Sequence, residues 1–294
     1  MRVVQGLPYG CWIRGRTFYH ARHYRQGSEN SHPEPVDLAT VWLLLAYGYS
    51  MAVPRIYTSQ PLGPGRRIDI EGQGAAHVTQ VLRLRPGAAV HVFDGAGQEF
   101  SALLLEGRRA RITLELLEPL TGAAEATLDI TLAQGIARHD RMDLILQKSV
   151  ELGVNTIQPL WMQRSQSHLS GARLERRLHH WHGVVISGCE QCGRNTLPAL
   201  REPLAFRDWI ARSPAYTLQL MLQPGEPHSL ASLQPPAGNI LLLTGPEGGL
   251  TSEEQEIARA AGFAGIRLGQ RILRTETAAL AAIAGMHALW GDFR

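Results

Sequence analysis

Residues 241–254, LLLTGPEGGLTSEE, have the types and spacing of a ligand-binding loop. An apolar run ends in Gly-Pro-Glu-Gly-Gly, and Thr251 and Glu254 then match a capping box, in which each side chain satisfies a backbone N–H at a helix start. The loop lacks the Gly-Lys-Ser/Thr ending of a P-loop and the Gly-x-Gly-x-x-Gly dinucleotide fingerprint, and Glu247 would repel a phosphate. These residues predict a loop whose backbone groups meet a ligand poor in phosphate, although taken alone they fit a simple tight turn equally well.

A second glycine-marked loop lies in residues 268–279, LGQRILRTETAA. A short strand is predicted to end at Gly269 and a helix to begin near Thr275. Ligands of open parallel sheets bind outside the carboxyl ends of the strands, so both loops are expected to face one site. The final helix, predicted for about residues 276–290, is rich in alanine, which permits close approach of another element, although an ordinary core helix needs nothing more.

These two segments, GPEGGL and LGQRILRTETAAL, resemble the cofactor-binding region of the SPOUT class of S-adenosylmethionine-dependent RNA methyltransferases. Three further motifs, PRIY at 54–57, QKSVELGV at 147–154 and CEQCGRN at 189–195, resemble the bacterial 16S ribosomal RNA (uracil-N3) methyltransferases. The resemblance runs from about Met51 to the C-terminus, with the motifs in order. It implies S-adenosylmethionine-dependent methylation of N3 of a uridine in 16S ribosomal RNA of the small ribosomal subunit, by a cytoplasmic enzyme.

Two other functions stay open on the sequence. Ribose 2′-O-methylation occurs within the same fold, and a non-catalytic RNA-binding module would need only the first domain and its arginines. The intact segment RILRTETA argues against such a module, because a lapsed cofactor site would be expected to lose residues of this kind.

Three regions of the chain differ in pattern. Residues 1–50 are rich in Gly, His, Arg and Tyr without a clear period, so we expect an extension outside the family's fold, either disordered or added by a mis-assigned start codon. Residues 51–121 alternate apolar and polar positions between turns, which predicts a small β-barrel, and the resemblance implies a PUA-like RNA-binding domain. Residues 122–294 alternate strand and helix patterns, which predicts an α/β domain. The resemblance adds a C-terminal trefoil knot, which periodicity does not reveal.

The individual elements follow from apolar period and turn residues. In the first domain we predict strands at 66–70, 89–94, 99–105 and 111–116, a turn at Glu106-Gly107 and a helix at 77–84. In the second we predict strands at 128–134, 156–161, 216–222 and 239–244, and helices at 140–152 and 174–189. The helix at 140–152 is expected to face inward with Met142, Ile145, Leu146 and Val150.

Charge and cysteine content restrict the partners only weakly. The chain of 294 residues has a formal net charge of +3, so a nucleic acid would have to be met by local arginine clusters. Three cysteines provide no disulfide framework and suit a reducing cytosol. Cys189 and Cys192 have the spacing of half a zinc site, but no second pair exists, so no metal is predicted. The apolar run at 41–49 is too short to span a membrane.

The resemblance also assigns binding roles to the matching motifs. It implies that S-adenosylmethionine is held by the two loops and the preceding strand end, namely Leu222, Thr244, Gly245, Pro246, Glu247, Gly248, Gly249, Leu268, Gly269, Ile272, Leu273, Arg274, Thr275 and Thr277. The residues expected to contact RNA are Arg55, Arg66, Arg67, Arg83, Arg138, Arg164 and Asn195.

Three residues are expected to act in catalysis. Uracil N3 carries a proton, so methyl transfer needs a proton acceptor near N3 and a cation near the carbonyl oxygens. We expect Arg274, in the cofactor loop, to stabilise the developing uracilate and Arg194 to place the substrate. Glu190 is the expected side-chain base, although water or solvent hydroxide would serve. Arg194 also fits a plain helix cap near Cys192, where a cation suits the helix dipole.

The resemblance further implies a homodimer that pairs through the knotted domain. The alanine-rich final helix is expected to form part of the interface, with Ala282 at the contact. A symmetric interface doubles any single defect, so Ala282→Arg is expected to dissociate and inactivate the protein.

Residues 1–50 should be dispensable, because Pro54 already opens the barrel pattern. A chain that begins at Met51 is expected to keep the melting temperature and methylation rate of the full chain. A large fall in melting temperature on removing residues 1–50 would show that they pack on the core.

Overall fold

The computed structural model describes residues 53–108, 111–122, 124–165 and 169–293. Residues 52–294 group into one compact unit that contains two sheets. The expectation for residues 1–50 lies outside the described residues. None of the described helices is both long and apolar enough to cross a membrane.

The first sheet is built from residues 55–120. Its elements, in chain order, are β1 (Arg55–Tyr57), β2 (Arg67–Glu71), the short helix α1 (Gln73–Ala76), β3 (Ala89–Phe93), β4 (Glu99–Arg108) and β5 (Arg111–Leu120). A π-helical segment, His77–Val81, continues α1. The strand order is β1-β3-β4-β5-β2, with β1 parallel to β3 and the other pairs antiparallel. These strands enclose one core, which includes Ile68, Val90, Val92, Leu104 and Leu114.

The four strands predicted for this domain are confirmed, with shifted ends. The predicted turn at Glu106-Gly107 is wrong, because β4 runs on through Arg108. The helix predicted at 77–84 is wrong in its ends, since the helical segment starts at Gln73 and stops at Val81. Apolar period located the segment but placed its end too late in the chain, because the helical segment ends at Val81, which is 67% exposed.

The second sheet is parallel, and α-helices alternate with most of its strands along the chain. The elements, in chain order, are β6 (Ile130–Gly135), α2 (His139–Glu151), β7 (Thr156–Trp161), α3 (Gly171–Cys192), β8 (Ala199–Leu200), β9 (Leu204–Ala205), α4 (Phe206–Ile210), β10 (Leu218–Leu222), β11 (Ile240–Thr244), α5 (Ser252–Ala260), β12 (Ala264–Ile266) and α6 (Thr275–Trp290). The strand order is β12-β10-β11-β6-β7-β8, and β9 pairs with β7. This is the α/β architecture that the alternation of patterns predicts.

Helices cover both faces of the second sheet, because its central strand is apolar on both sides. In β11, Ile240 and Leu242 join a core that also contains residues of α2, α3 and α6. Leu241 and Leu243 join a second core, with residues of α4 and α5. Side chains of a strand alternate between its faces, so two covered faces require a continuous apolar run. The buried strand predicted here is confirmed.

The other predictions for residues 122–294 are largely confirmed. The strand at 156–161 has the predicted ends, and α2 buries its four predicted apolar residues. At the start of α5, Thr251 N donates to Glu254 Oε2 at 2.8 Å and Glu254 N donates to Thr251 Oγ1 at 3.2 Å, which completes the capping box. Helix α3 extends beyond its predicted range at both ends. The trefoil knot stays a prediction.

Helix α6 places Ala282 differently from the expected dimer contact. Ala282 is fully buried and packs in the core with Ile283 and Met286. Its neighbour Ala281 is exposed. The expectation that Ala282→Arg acts by separating two subunits is therefore wrong, because a long charged side chain at that position would first disrupt the core of one subunit.

The two neighbouring alanines provide a matched pair for testing this placement. Ala282→Arg is expected to lower the free energy of unfolding by about 4 kcal/mol or more, since it puts an unpaired charge into a packed core. Ala281→Arg should keep the native circular dichroism spectrum and cost less than about 1 kcal/mol of subunit stability. Urea unfolding of both variants measures the difference. Equal losses would show that the assigned face of α6 is wrong.

Candidate active site

A cavity of about 260 Å³ lies at the carboxyl ends of β10, β11 and β12. Its walls include residues 223–224 after β10, 244–250 at the end of β11, and 268–269 and 271–273 after β12. Because β10 lies between β11 and β12, the two predicted loops flank a third one. Arg164, from the loop after β7, also lines the cavity. The volume is close to the lower end of the range for small-molecule sites, roughly 300–1,000 Å³.

A buried group of hydrogen bonds joins the loop after β11 to the start of α6. Thr275 donates from Oγ1 to the carbonyl oxygen of Gly245 at 2.6 Å. Gln134, in β6, donates from Nε2 to Thr275 Oγ1 at 3.1 Å and to the Gly245 carbonyl at 3.3 Å. Both side chains are buried. Since an unpaired buried polar group costs about 1–3 kcal/mol, these bonds hold the two loops in one arrangement.

The turn after β11 needs glycine at defined positions. Gly249 has a φ of 68°, and its N–H donates to the carbonyl oxygen of Pro246 at 2.8 Å. A Cβ at Gly245 would lie 2.8 Å from the backbone of Gly249, and a Cβ at Gly135 would lie 2.5 Å from Pro246. The turn therefore folds tightly on itself and against β6, and the lack of side chains lets a ligand approach its peptide groups.

The cavity wall carries an excess of positive charge and one unpaired hydroxyl. Glu247 Oε1 accepts the backbone N–H of Arg138 at 2.8 Å and lies 3.4 Å from Arg141 Nη1, which balances its charge. Arg164 and Arg271 also line the cavity. The hydroxyl of Thr244 is buried and has no hydrogen-bond partner among the described residues. Such a group in a cavity wall is suited to a polar ligand.

The structure brings most of the predicted cofactor residues to this cavity. Those that line it are Leu222, Thr244, Gly245, Pro246, Glu247, Gly248, Gly249, Leu268, Gly269, Ile272, Leu273 and Thr275. Arg274, the N-cap residue of α6, and Thr277, in the first turn of that helix, are exposed and do not line the cavity. Gln223 and Pro224 line the cavity but were not predicted. The rule that ligands bind at the carboxyl ends of strands, applied to the strand at 216–222, would have found them.

Arg55 and Asn195, both predicted to bind RNA, lie at the domain seam, which we define as the contact of β1 and β4 with residues 189–196. Arg55 donates from Nε to Glu99 Oε1 at 2.8 Å and from Nη1 to the carbonyl oxygen of Cys189 at 2.7 Å. Its Nη2 donates to Asn195 Oδ1. The Arg55 side chain is 11% exposed and Asn195 is 1% exposed. These positions do not support contact with RNA, because both side chains are used inside the chain.

Arg194 is also an internal residue. It is 2% exposed, and its Nε donates to Glu125 Oε2 at 3.1 Å. Its Nη1 donates to the carbonyl oxygens of Val150 and Val154 at 3.2 and 2.8 Å. The guanidinium thus caps the end of α2, whereas the alternative expectation was a cap on α3. The predicted role in placing the substrate is not supported, because no exposed surface of Arg194 remains to meet it.

Glu190 lies in the domain seam and does not line the cavity. Its Oε1 accepts the backbone N–H of Tyr57 at 3.1 Å. Burial raises the pKa of Glu190 above its usual range, and the Tyr57 hydrogen bond offsets part of this effect. A raised pKa suits a base, but structural carboxylates show it as well. The predicted role of Glu190 as the catalytic base is not supported, because its carboxylate lies in the domain seam and not in the cavity wall.

The remaining arginines predicted to contact RNA differ in their surroundings. Arg66, Arg67, Arg83 and Arg138 are exposed, and contact with RNA stays a prediction for them. Arg67 forms only a long exposed pair with Glu115, 3.4 Å from Nε to Oε1. The predicted Arg164 lies instead in the cavity wall, where its Nη1 donates to the carbonyl oxygen of Gly248 at 2.7 Å.

The cysteine pair at the end of α3 does not have the properties of a metal or redox site. Cys189 is buried, and burial raises the pKa of its thiol to about 12. Thiolates are the reactive and metal-binding form, so Cys189 stays protonated and inert near neutral pH. Within the described ranges, no group of three or more His, Cys, Asp or Glu residues is arranged to hold a metal ion.

Comparison with known proteins identifies both halves of this architecture. Residues 124–287 match the family model described as RNA methyltransferase domain, and residues 70–117 match the RNA methyltransferase PUA domain. The ribosomal RNA small subunit methyltransferase E of Buchnera aphidicola subsp. Schizaphis graminum is 32% identical over 240 residues, 82% of this chain and 98% of the relative. The chain belongs to the ribosomal RNA small subunit methyltransferase E family.

Two solved structures of methyltransferases have the same fold. The enzyme from Neisseria gonorrhoeae bound to S-adenosyl methionine is 41% identical, with a TM-score of 0.76 over 83% of this chain and 100% of that one. A Legionella pneumophila methyltransferase in complex with the bound cofactor SAM is 34% identical, with a TM-score of 0.78 over 82% of this chain and 100% of that one. The methyltransferase family, its α/β fold and its PUA domain, first suggested by motif resemblance, are thereby confirmed.

Arg55 and Arg67, both predicted to bind RNA, provide a test of which arginines are structural. Arg55→Ala is expected to lower the free energy of unfolding by about 3 kcal/mol, because it removes the arginine that pairs with the nearly buried Glu99 carboxylate and donates to Asn195 Oδ1. Arg67→Ala should change it by less than about 1 kcal/mol, as for other exposed pairs. Urea denaturation measures both values. A loss below about 1 kcal/mol for Arg55→Ala would contradict its assignment to the domain seam.

Proposed function

We propose that this protein methylates N3 of a uridine in 16S ribosomal RNA of the small ribosomal subunit, with S-adenosylmethionine as methyl donor. The observation that carries the proposal is the cavity, whose walls include the peptide groups of two glycine-containing loops, after β11 and β12, on either side of the end of β10. Two structural relatives with this fold contain that cofactor. We place the reaction in the cytoplasm, where ribosomal RNA is available.

The residues of the cavity fit S-adenosylmethionine. Leu222, Ile266 and Leu268 provide an apolar wall for the adenine ring. The unpaired Thr244 hydroxyl and the peptide groups of the turn at 245–250 are suited to the polar atoms of the ribose and amino acid. When bound, the cofactor would supply a methyl group already activated by its sulfonium. The protein then has chiefly to align the target atom and stabilise the charge that develops there.

Arg274 is the residue best placed to stabilise that charge. It is the N-cap residue of α6, directly after the cavity-lining Leu273, and its side chain is exposed. No ion pair or side-chain hydrogen bond holds its guanidinium within the described part of the chain. A free cation beside the cofactor cavity can meet the carbonyl oxygens of a uracil as N3 loses its proton. Because N3 lies on the Watson–Crick edge, the base must be unpaired when it binds.

We assign the N3 proton to solvent. Glu247 is the one carboxylate among the described cavity-lining residues, and it is engaged by Arg138 and Arg141. Glu190 lies in the domain seam. Neither carboxylate has the free, adjacent position that a general base needs, so water or hydroxide near the open side of the cavity takes the proton.

The RNA is proposed to lie across exposed arginines of the first domain. Arg66, Arg67 and Arg83 are exposed there, and Arg83 follows Val81, which is 67% exposed. Arg138 is exposed at the start of α2, beside the turn that contains Glu247. Cations separated in this way along one chain can follow a phosphate backbone, which makes binding salt-dependent.

The reaction is tested by incubating the protein with methyl-labelled S-adenosylmethionine and small ribosomal subunits, then digesting the RNA to nucleosides. The expected labelled product is N3-methyluridine. A label on the ribose 2′-oxygen would reject the assignment to N3. The absence of label in RNA would reject the proposal that the protein methylates ribosomal RNA.

Arg274→Ala is expected to reduce the single-turnover methylation rate by about 10²-fold or more, which is typical of losing one charge-stabilising group. Affinity for S-adenosylmethionine should change little, since Arg274 lies outside the cavity wall. Arg212→Ala, which removes another exposed arginine, is the control and should keep the rate. An unchanged rate in Arg274→Ala at saturating cofactor would remove this residue from the mechanism.

We further propose that the protein acts as a homodimer through the exposed face of α6. Ala281 and Ala288 are exposed on this helix, and Leu144 of the adjacent α2 is 40% exposed. Small side chains allow two helices to approach closely. Sedimentation at micromolar concentration should show a dimer for the wild type and a folded monomer for Ala281→Arg. A monomeric wild type would contradict the proposal.

A further inference from the structure

Arg164 lies where the loop after β7 meets the turn after β11. Its Nη1 donates to the carbonyl oxygen of Gly248 at 2.7 Å and, over a longer distance of 3.4 Å, to that of Leu250. A Cβ at Gly248 would lie 3.0 Å from Arg164 Cβ and Cδ, so the arginine stem packs directly on this glycine. Arg164 is exposed and lines the cavity. These contacts fix the guanidinium at the cavity wall.

The guanidinium keeps donors that the described residues do not use. Arginine has five N–H groups in a planar fork. In Arg164 both side-chain hydrogen bonds come from Nη1, which leaves Nε–H and the Nη2 hydrogens without a partner among the described residues. A planar fork with two adjacent free donors is the group that binds a carboxylate in bidentate geometry.

The charges of the cavity and of the cofactor restrict what these donors can bind. Arg164 and Arg271 line the cavity, and the charge of Glu247 is already balanced by Arg141. S-adenosylmethionine carries a positive sulfonium and a positive ammonium, and its only anionic group is the α-carboxylate. A cation in the wall would repel the rest of the ligand, so a favourable contact with this ligand has to be made at the carboxylate.

The order of strands places Arg164 at the opposite end of the cavity from its apolar wall. Leu222 follows from β10, and Ile266 and Leu268 belong to β12 and the loop after it. Arg164 follows β7, which is separated from β10 by β11 and β6. A ligand with its adenine on the apolar wall therefore extends its amino acid toward Arg164.

We propose that Arg164 binds the α-carboxylate of S-adenosylmethionine and so selects a carboxylate-bearing cofactor. This inference rests on the proposed function. Arg164 is preferred to Arg271 because its guanidinium is already held by the turn, and a preorganised donor loses less conformational freedom on binding. We therefore assign Arg164 to the cofactor, whereas we expected from the sequence that it would contact RNA.

The test compares two ligands that differ only in the carboxylate, S-adenosylmethionine and decarboxylated S-adenosylmethionine, by titration calorimetry. The wild type should bind the decarboxylated ligand about tenfold or more weakly, as expected for loss of a charge-assisted hydrogen bond. Arg164→Ala should bind S-adenosylmethionine about tenfold more weakly than the wild type does, while its affinity for the decarboxylated ligand changes less than twofold. Arg271→Ala is the matched control and should keep the wild-type preference. Arg164→Lys should retain part of it.

Equal weakening of both ligands in Arg164→Ala would overturn the proposal, because it would mean that Arg164 only supports the turn. A wild type that binds the two ligands equally would overturn it as well. If Arg164→Ala does not fold, the wild-type preference and its reduction in Arg164→Lys decide the question, and an undiminished preference in Arg164→Lys would then contradict it. Failure of the wild type to bind S-adenosylmethionine would instead reject the proposed function.

Discussion

The hydrogen bond from Thr275 Oγ1 to the carbonyl oxygen of Gly245 is the contact on which the active site depends. This bond joins the loop after β11 to the start of α6. Gln134 of β6 donates hydrogen bonds from Nε2 to both of its oxygen atoms, Thr275 Oγ1 and the Gly245 carbonyl oxygen. All three groups are buried, so breaking one bond would leave others unsatisfied at a cost of about 1–3 kcal/mol each. The cavity walls are mainly peptide groups, which have no rotamers of their own. Their positions are set by this cluster and by the close contacts of Gly135, Gly245 and Gly248.

Burial divides the arginines of this protein into two kinds. Arg55 and Arg194 are enclosed by carbonyl oxygens and carboxylates, where they hold the first sheet and α2 against residues 189–196. Arg164 and Arg274 keep free donors at or beside the cavity. A buried guanidinium has its hydrogen bonds completed inside the chain, while an exposed one can meet an anion as it arrives or develops. The domain seam therefore fixes the exposed arginines of the first domain relative to the cavity.

Sequence patterns predict the elements of this fold well, because strands with two covered faces must be continuously apolar, as in Ile240–Thr244. They also predict the two loops that line the cavity, since glycine and a capping box mark the ends of elements. They do not predict which polar residues are buried. The motif CEQCGRN suggests a chemical site, but Glu190, Arg194 and Asn195 complete contacts with partners about forty or more residues away in the chain. Such pairings depend on how the two domains pack against each other, and this packing cannot be predicted from residue type or local spacing. Ala282 is a similar case, because α6 is apolar or small at most of its positions and so has no clear period that tells its buried face from its exposed one.

The most direct test of this account is hydrogen–deuterium exchange of the full chain with and without saturating S-adenosylmethionine. We expect increased protection of backbone amides in residues 244–250 and 267–278, where the peptide groups line the cavity or lie in the helical turn beside it. We expect unchanged exchange in residues 189–196, because the domain seam is complete without a ligand. Protection concentrated in residues 189–196, with the two loops unchanged, would contradict the central claim that the cofactor is held by the loops joined through Thr275 and Gly245.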